Sequence, residues 1–227
     1  MLLSPLTPAT FRTRTNRFLG LAEIDGCVEE CFIPNPGRMK ELLNLGVKVY
    51  LRRCESEVRK TRWDLALVDH KGILVSVDSR VPNTVIEESI NAGLIPEFHS
   101  YRVDHCESHF GDSRFDLCLI KDTDTALVEV KSCTLVENGV ALFPDAPTKR
   151  GTRHLHTLGE ALHIGRSALI FLIQRGDATS LSPNQATNLA FANALRDAQF
   201  KGVEVYAYNS KVTLWDININ RRVPVNI

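Results

Sequence analysis

Residues 126–135, ALVEVKSCTL, read as a β-strand interrupted by two charges. Successive side chains of a strand point to opposite faces, so Glu129 and Lys131 share a face with Leu127, and Val128 and Val130 line the other. Upstream, RFDLCLI (114–120) is a second strand, joined to the first by the polar turn KDTDT. In that strand Asp116 lies between Phe115 and Leu117 and is expected to point away from both, onto the face of Arg114 and Cys118. A hairpin of this kind brings Asp116, Glu129 and Lys131 together.

The rest of the C-terminal half follows from the hairpin. VALF (140–143) is a third strand, and TRHLHTLGEALHIG has leucines at 155, 158 and 162, the spacing of a helix. SALIFLIQ (167–174) is an unbroken apolar run, as expected of a strand covered on both faces. Ser182-Pro183-Asn184-Gln185 predicts a helix start that runs on to Gly202, and VEVYAY (203–208) is a further strand. TVIEESINAG (84–93) predicts a helix that opens this half. The order specifies an α/β domain with a mixed sheet, over residues 83–227.

Residues 1–82 read differently. Strands are predicted at 18–24 and 28–33, flanking the tight turn Asp25-Gly26, and at 47–53, 63–69 and 73–78. NPGRMKELLNLG (35–46) predicts a turn and a short helix. Five short strands and one small helix suit an OB-like β-barrel, a frequent nucleic-acid platform.

Composition bounds the function classes. The chain has 227 residues, 44% hydrophobic and 24% charged, with equal numbers of acidic and basic residues. That is globular composition, and zero net charge argues against a globally basic nucleic-acid coat. No apolar run reaches the roughly 20 residues of a membrane helix, and MLLSPLTPATFRTRT lacks a signal-peptide core. Six cysteines without a CxxC pair read as reduced thiols, and a cytoplasmic location without membrane association is expected. The basic residues do cluster: Arg12, Arg14 and Arg17 have no acid between them, and Lys48, Arg52, Arg53, Arg59, Lys60 and Arg62 enclose only Glu55 and Glu57. Such clusters either follow a phosphate backbone or form a solvated face.

The chemistry rests on the hairpin. A carboxylate, one residue, then a lysine is expected by chance about once or twice in such a chain, and Asp69-His70-Lys71 is a second instance. Two carboxylates brought together repel unless something positive lies between them. Lys131 supplies one charge and a divalent cation would supply two; Mg²⁺ takes one or two protein carboxylates and keeps waters, leaving room for a phosphate oxygen. Phosphodiester hydrolysis is the chemistry such a set supports, and an ion network knitting the hairpin together is the plainer reading. His105, Cys106 and His109, or His154 and His156, lack four-ligand zinc spacing. No GxSxG arrangement is present, which disfavours a serine hydrolase.

An aspartate, about a dozen residues, then Glu-x-Lys on a hairpin followed by a helix resembles the PD-(D/E)XK nucleases. Over most of its length the chain resembles the sugar fermentation stimulation protein A (SfsA) family, through TNRFL (15–19), PNPGRM (34–39), VPN (81–83), IPE (95–97), GDSRFD (111–116), VEVKSCTL (128–135) and ALFPDAPTKRGTRHL (141–155). The resemblance implies an N-terminal OB-like domain, a nuclease-like α/β domain, DNA binding and Mg²⁺- or Mn²⁺-dependent nuclease activity. Asp116 and Glu129 would hold the metal and Lys131 would be the catalytic lysine. Glu88 would be an extra metal acid on the first helix, or an ordinary exposed glutamate. Arg150 and His154, four apart, would grip phosphate if the helix starts early enough, or would form its capped polar entrance. Asp145 and Gln174 are further site candidates, and Arg38 is placed to touch a phosphate. Ser132 stands where asparagine is expected. DNA is the implied partner, with RNA a second; a homodimer is compatible with the sequence. The competing function is a non-catalytic DNA-binding regulator built on the same fold.

Overall fold

The protein, described from a computed structural model, is defined over residues 1–55, 58–111 and 113–227. Glu57 of the basic cluster and Asp112 of the GDSRFD stretch lie outside the described residues. The chain begins with β1 (Leu6–Asn16), β2 (Leu19–Ile24), β3 (Cys27–Phe32), β4 (Lys48–Arg53), β5 (Trp63–His70) and β6 (Ile73–Ser76). β1 pairs antiparallel with β2 and β4, β2 with β3, and β4 with β5. β3 then meets β5 in parallel, closing a five-strand OB barrel. Asp25 and Gly26 both have positive φ, as a two-residue hairpin turn requires. Phe11, Ile33, Met39, Leu51 and Leu65 fill the barrel.

Three expectations for this domain change. β1 is a strand the apolar pattern does not reveal, because its Thr and Arg residues face outward and only Ala9 and Phe11 are buried. β6 lies outside the ring, as a hairpin partner of β5. The helix expected within 35–46 is a set of turns. Met39 takes a left-handed backbone, and Arg14 draws off the carbonyls of Asn35, Gly37 and Arg38 that a helix would use.

The second domain starts with α1 (Val81–Asn91), so VPN forms the helix's first turn, with proline where its missing N–H costs nothing. β7 (Arg102–Phe110), β8 (Ser113–Lys121), β9 (Asp124–Cys133), the short β10 (Val136–Glu137) and β11 (Val140–Phe143) follow, then α2 (Lys149–Ala161), β12 (Arg166–Ile173), β13 (Ser180–Pro183), α3 (Leu189–Lys201), β14 (Glu204–Val212) and β15 (Ile217–Val223). A mixed sheet has the order β15-β14-β12-β9-β8-β7, with β12 parallel to both neighbours. β12 is the covered central strand: Ala168 to Ile173 are all buried, at roughly 1.5–3 kcal/mol for each large apolar side chain. Its even-numbered side chains pack toward α1, its odd ones toward α2 and α3.

The helix expected from Ser182 begins later. Residues 180–183 instead pair in parallel with β11, in a small sheet with β10, and Asn188 caps α3 by accepting from the Phe191 N–H. The two domains share a core, since Tyr50, Ala66 and Leu67 of the barrel pack with α1, β9 and β12.

Candidate metal centre

β8 and β9 pair only as far as Leu117 and Val128, and the site opens where that ladder ends. Phe115 packs with the α2 layer and Leu117 with the α1 layer, although residues two apart in a regular strand share a face. The strand therefore turns over at Asp116, and the expectation that Phe115 and Leu117 lie together opposite Asp116 is corrected. Glu107, across from Asp116 in β7, takes a left-handed backbone at the same level. Asp116 caps the freed end of the neighbouring strand: Oδ2 accepts from the Val130 N–H (2.8 Å) and Oδ1 from the Asn83 amide (2.7 Å).

Glu129 is buried, at 3% exposure. Its Oε1 accepts from Lys131 Nζ and from His154 Nδ1 (2.5 Å). Arg150 Nε donates to His154 Nε2 (3.2 Å), so the two bonds together assign the imidazole proton to Nδ1. The link follows from where α2 begins. Thr148 accepts from the Gly151 N–H and starts the helix at Lys149, so Arg150 and His154 share a face.

The two carboxyls differ electrically. Burial, then the neighbouring Glu129 charge, holds the Asp116 pKa above its ordinary value despite its two donors. Burial also opposes ionisation of Glu129, but Lys131 and the His154 hydrogen bond outweigh it, and its pKa lies below the usual value. The second oxygen of Glu129, Oε2, is buried and accepts nothing. A buried, ionised oxygen without a donor is costly, and a hard divalent cation is the partner that satisfies it. Glu129 and Asp116 therefore fit a hard divalent cation on oxygen chemistry alone. Replacing His154 by alanine should weaken Mn²⁺ binding about 10- to 100-fold, because the ligand's orienting bond is lost. A calorimetric titration showing unchanged affinity would remove His154 from the centre.

Asp116, Glu129 and Lys131 line a cleft of about 380 Å³, together with Asn83, Ser132 and Arg150 of the second domain and Arg17, Asn35 and Gly37 of the barrel. Asp145 also lines it, but its Oδ2 accepts from the Met39 N–H, tying the barrel's loop to the cleft wall. Gly37 is needed there, since a Cβ would lie 2.9 Å from Asn35 Oδ1 and 3.0 Å from Asp145 Oδ2. Gln174 lies behind the cleft wall, not in it. It donates to Ser132 Oγ (2.9 Å) and accepts from Ser76 Oγ (2.7 Å), so it bridges the strand beside Lys131 to β6.

The structure moves other candidates away. Glu88 points out of α1 to the N-terminal ammonium (2.7 Å) and does not face the cleft. Asn83 faces it, and Glu87, one helical turn on, lies against Cys106, whose thiol burial and then Glu87 push up. Glu87 was legible only as a member of an ordinary helix, and Asn83 only as part of the VPN stretch before it. Arg12 pairs with Glu23, and Arg14 spends its guanidinium on the carbonyls of Arg17, Asn35, Gly37 and Arg38. Arg14 is therefore a staple for the loop and is withdrawn from the phosphate-binding set. Arg17 and Arg38 remain exposed. A second donor set exists on the edge of the sheet: Asp104, His105 and Cys118 gather ligand atoms within 4.8 Å, where a bulge in β7 sets two residues against one. Cys106 and His109 are not part of it.

Fold and cleft together define a class: an OB barrel fused to a mixed-sheet α/β domain, with an acid–lysine cleft at the junction. Family models for the "SfsA N-terminal OB domain" and the "Sugar fermentation stimulation protein RE domain" match residues 13–77 and 80–216. The chain belongs to the sugar fermentation stimulation protein family. It is 44% identical to a sugar fermentation stimulation protein homolog of Natranaerobius thermophilus, over 98% of this chain and 95% of that protein. A homolog from Caldanaerobacter subterraneus is 43% identical over 98% of this chain and 97% of the relative. Among solved structures, Pyrococcus furiosus SfsA in complex with Ca²⁺ superposes with a TM-score of 0.93 at 29% identity, covering 100% of this chain and 98% of that one. No helix among the described residues is long and apolar enough to cross a membrane.

Proposed function

We propose that the protein is a divalent-metal-dependent nuclease that hydrolyses phosphodiester bonds of DNA or RNA in the cleft between its two domains. The observation that carries this reading is the unpartnered, buried Glu129 Oε2 beside Asp116 and Lys131. Asp116 and Glu129 would hold Mg²⁺ or Mn²⁺, which when bound neutralises phosphate charge and acidifies a water. The Ca²⁺ complex of the Pyrococcus furiosus relative supports a divalent ion in this family.

The chain's own side chains supply the rest. Asn83 and the Val130 N–H fix Asp116; His154 and Lys131 fix Glu129 by one oxygen and leave the other free. Lys131, only 14% exposed at its side chain, lines the cleft and presents its ammonium where charge on the oxygens of a pentacoordinate phosphorus would be stabilised. Arg150 reaches the same cleft and offers its free guanidinium nitrogens to a phosphate.

The test incubates supercoiled plasmid, linear DNA and RNA with purified protein and Mg²⁺ or Mn²⁺, beside Glu129→Ala and Lys131→Ala. Metal-dependent cleavage by wild type alone is expected. If every substrate stays intact with wild type while binding persists, the protein is instead a DNA-binding regulator on this scaffold. The electrostatic part has its own check. Arg17→Ala should lower the salt slope of DNA binding by about one phosphate contact, with the melting temperature unchanged. Arg14→Ala should lower the melting temperature by removing a loop staple. An unchanged salt slope for Arg17→Ala would take that residue out of the interface.

A further inference from the structure

Phe18 is a large apolar side chain left 41% exposed at the barrel's rim, in the turn between β1 and β2. It is neither loose nor isolated. Its N–H donates to Asn16 Oδ1 (2.9 Å) and its carbonyl accepts from the Ile33 N–H (2.9 Å), so the backbone is pinned from both sides. The ring stacks with Phe32 at the end of β3, with centroids 6.1 Å apart and planes at 23°. Arg17 lies over Phe18 at 5.4 Å, and Arg59 over Phe32 at 5.3 Å. The four side chains form a patch of rings and guanidinium groups on the β2–β3 side of the barrel, with Phe18 its exposed ring.

Through Arg17 the patch adjoins the cleft. Arg17 lines the candidate metal centre and also the adjoining groove formed with Asn16, Pro36, Gly37 and Ala146. Arg38 is exposed on the same loop. A surface combining exposed ring, guanidinium planes and positive charge matches one chemistry well. Unpaired bases stack on aromatic and arginine planes while their phosphates meet the cations. A paired duplex hides its base faces and would gain only the charge.

We infer that the patch of Arg17, Phe18, Phe32 and Arg59, with the exposed Phe18 ring at its surface, is a stacking platform for an unpaired stretch of nucleic acid that leads into the cleft, so that the preferred substrate is a single strand or a duplex with a single-stranded flank. This rests on the nuclease reading of the cleft and narrows its substrate class.

The experiment measures anisotropy of a fluorescein-labelled single strand, as DNA and as RNA, against a blunt duplex of the same sequence. EDTA is present so that nothing is cut. Wild type, Phe18→Ala, Phe18→Leu and Phe18→Trp are compared. Wild type should bind single strands more tightly than the duplex. Phe18→Ala and Phe18→Leu should each lose about 10-fold on single strands and little on the duplex, and Phe18→Trp should retain affinity. Phe18→Leu keeps the apolar contact with Phe32 and so separates stacking from folding. Wild-type single-strand affinity in Phe18→Leu, or an equal loss on single strands and duplex, overturns the platform and leaves the nuclease reading intact. If wild type binds no nucleic acid here, the platform falls, while the nuclease reading stands or falls by the metal-dependent cleavage assay.

Discussion

Glu129→Gln should reduce Mn²⁺ affinity by about 100-fold or more and bring cleavage down to background, with the fold intact. The substitution is nearly isosteric. The amide oxygen still accepts from His154 and Lys131, as Oε1 does now. The change falls on the other atom: an NH₂ replaces the buried Oε2, so a donor stands where an unpartnered acceptor stood. A cation that would satisfy the oxygen is repelled by the amide hydrogens. Removing a buried carboxylate normally threatens stability, so thermal melting must accompany the titration. A variant that melts like wild type and binds no Mn²⁺ isolates the metal role. A variant that binds Mn²⁺ normally would mean that Glu129 only anchors Lys131 and His154.

The second large effect lies away from the cleft. Asp64, 1% exposed, accepts from Arg52 (2.9 Å), Arg59 (2.5 Å) and Arg80 (3.0 Å), while Asp78 takes further bonds from Arg52 and Arg80. Burial alone would raise the Asp64 pKa, but the three guanidinium groups outweigh it and bring it down to about 2 from 3.8. A depressed folded-state pKa means stability that is fully present above the ordinary aspartate range and is lost as pH falls from about 4 toward about 2. Asp64→Asn should cost about 3 kcal/mol at neutral pH, at the low end for breaking a buried pair because the arginines keep partial access to water. Urea unfolding at several pH values checks both points. The gap between wild type and variant should close as the pH drops; a constant gap would show that packing, not ionisation, sets the cost. The network also matters to the site, because Arg80 precedes α1 and α1 carries Asn83 to Asp116.

Much of this was legible in the sequence, for reasons tied to particular residues. The run 167–174 announces a covered strand because both faces are apolar, and DG at 25–26 announces a hairpin because only a short list of residues tolerates that backbone. The 114–135 hairpin does bring its two acids and lysine to one cleft, but regular strand alternation did not foretell how, because the strand turns over at Asp116 where the ladder ends. The edge strands were illegible for the converse reason. β7 has a single buried residue, Ser108, and β15 buries only its first and last. Hydrophobic period cannot mark a strand that water covers. Glu88 and Glu87 were indistinguishable because the choice depends on how α1 is rotated against the sheet, a tertiary fact. Arg14 looked like a phosphate ligand because charge is visible in sequence, whereas the four carbonyls it caps are not. His154 repeats that error: expected to grip phosphate beside Arg150, it is buried and donates to Glu129 instead, with Arg150 bonded to its other nitrogen.

The most direct measurement is anomalous diffraction from crystals soaked in Mn²⁺. A peak should lie in the cleft, in contact with Asp116 and with Glu129 Oε2, and should vanish in Glu129→Gln. Ordered density for the cleft with no anomalous peak, or a peak confined to Asp104, His105 and Cys118 on the sheet's edge, would contradict a catalytic metal centre at the domain junction.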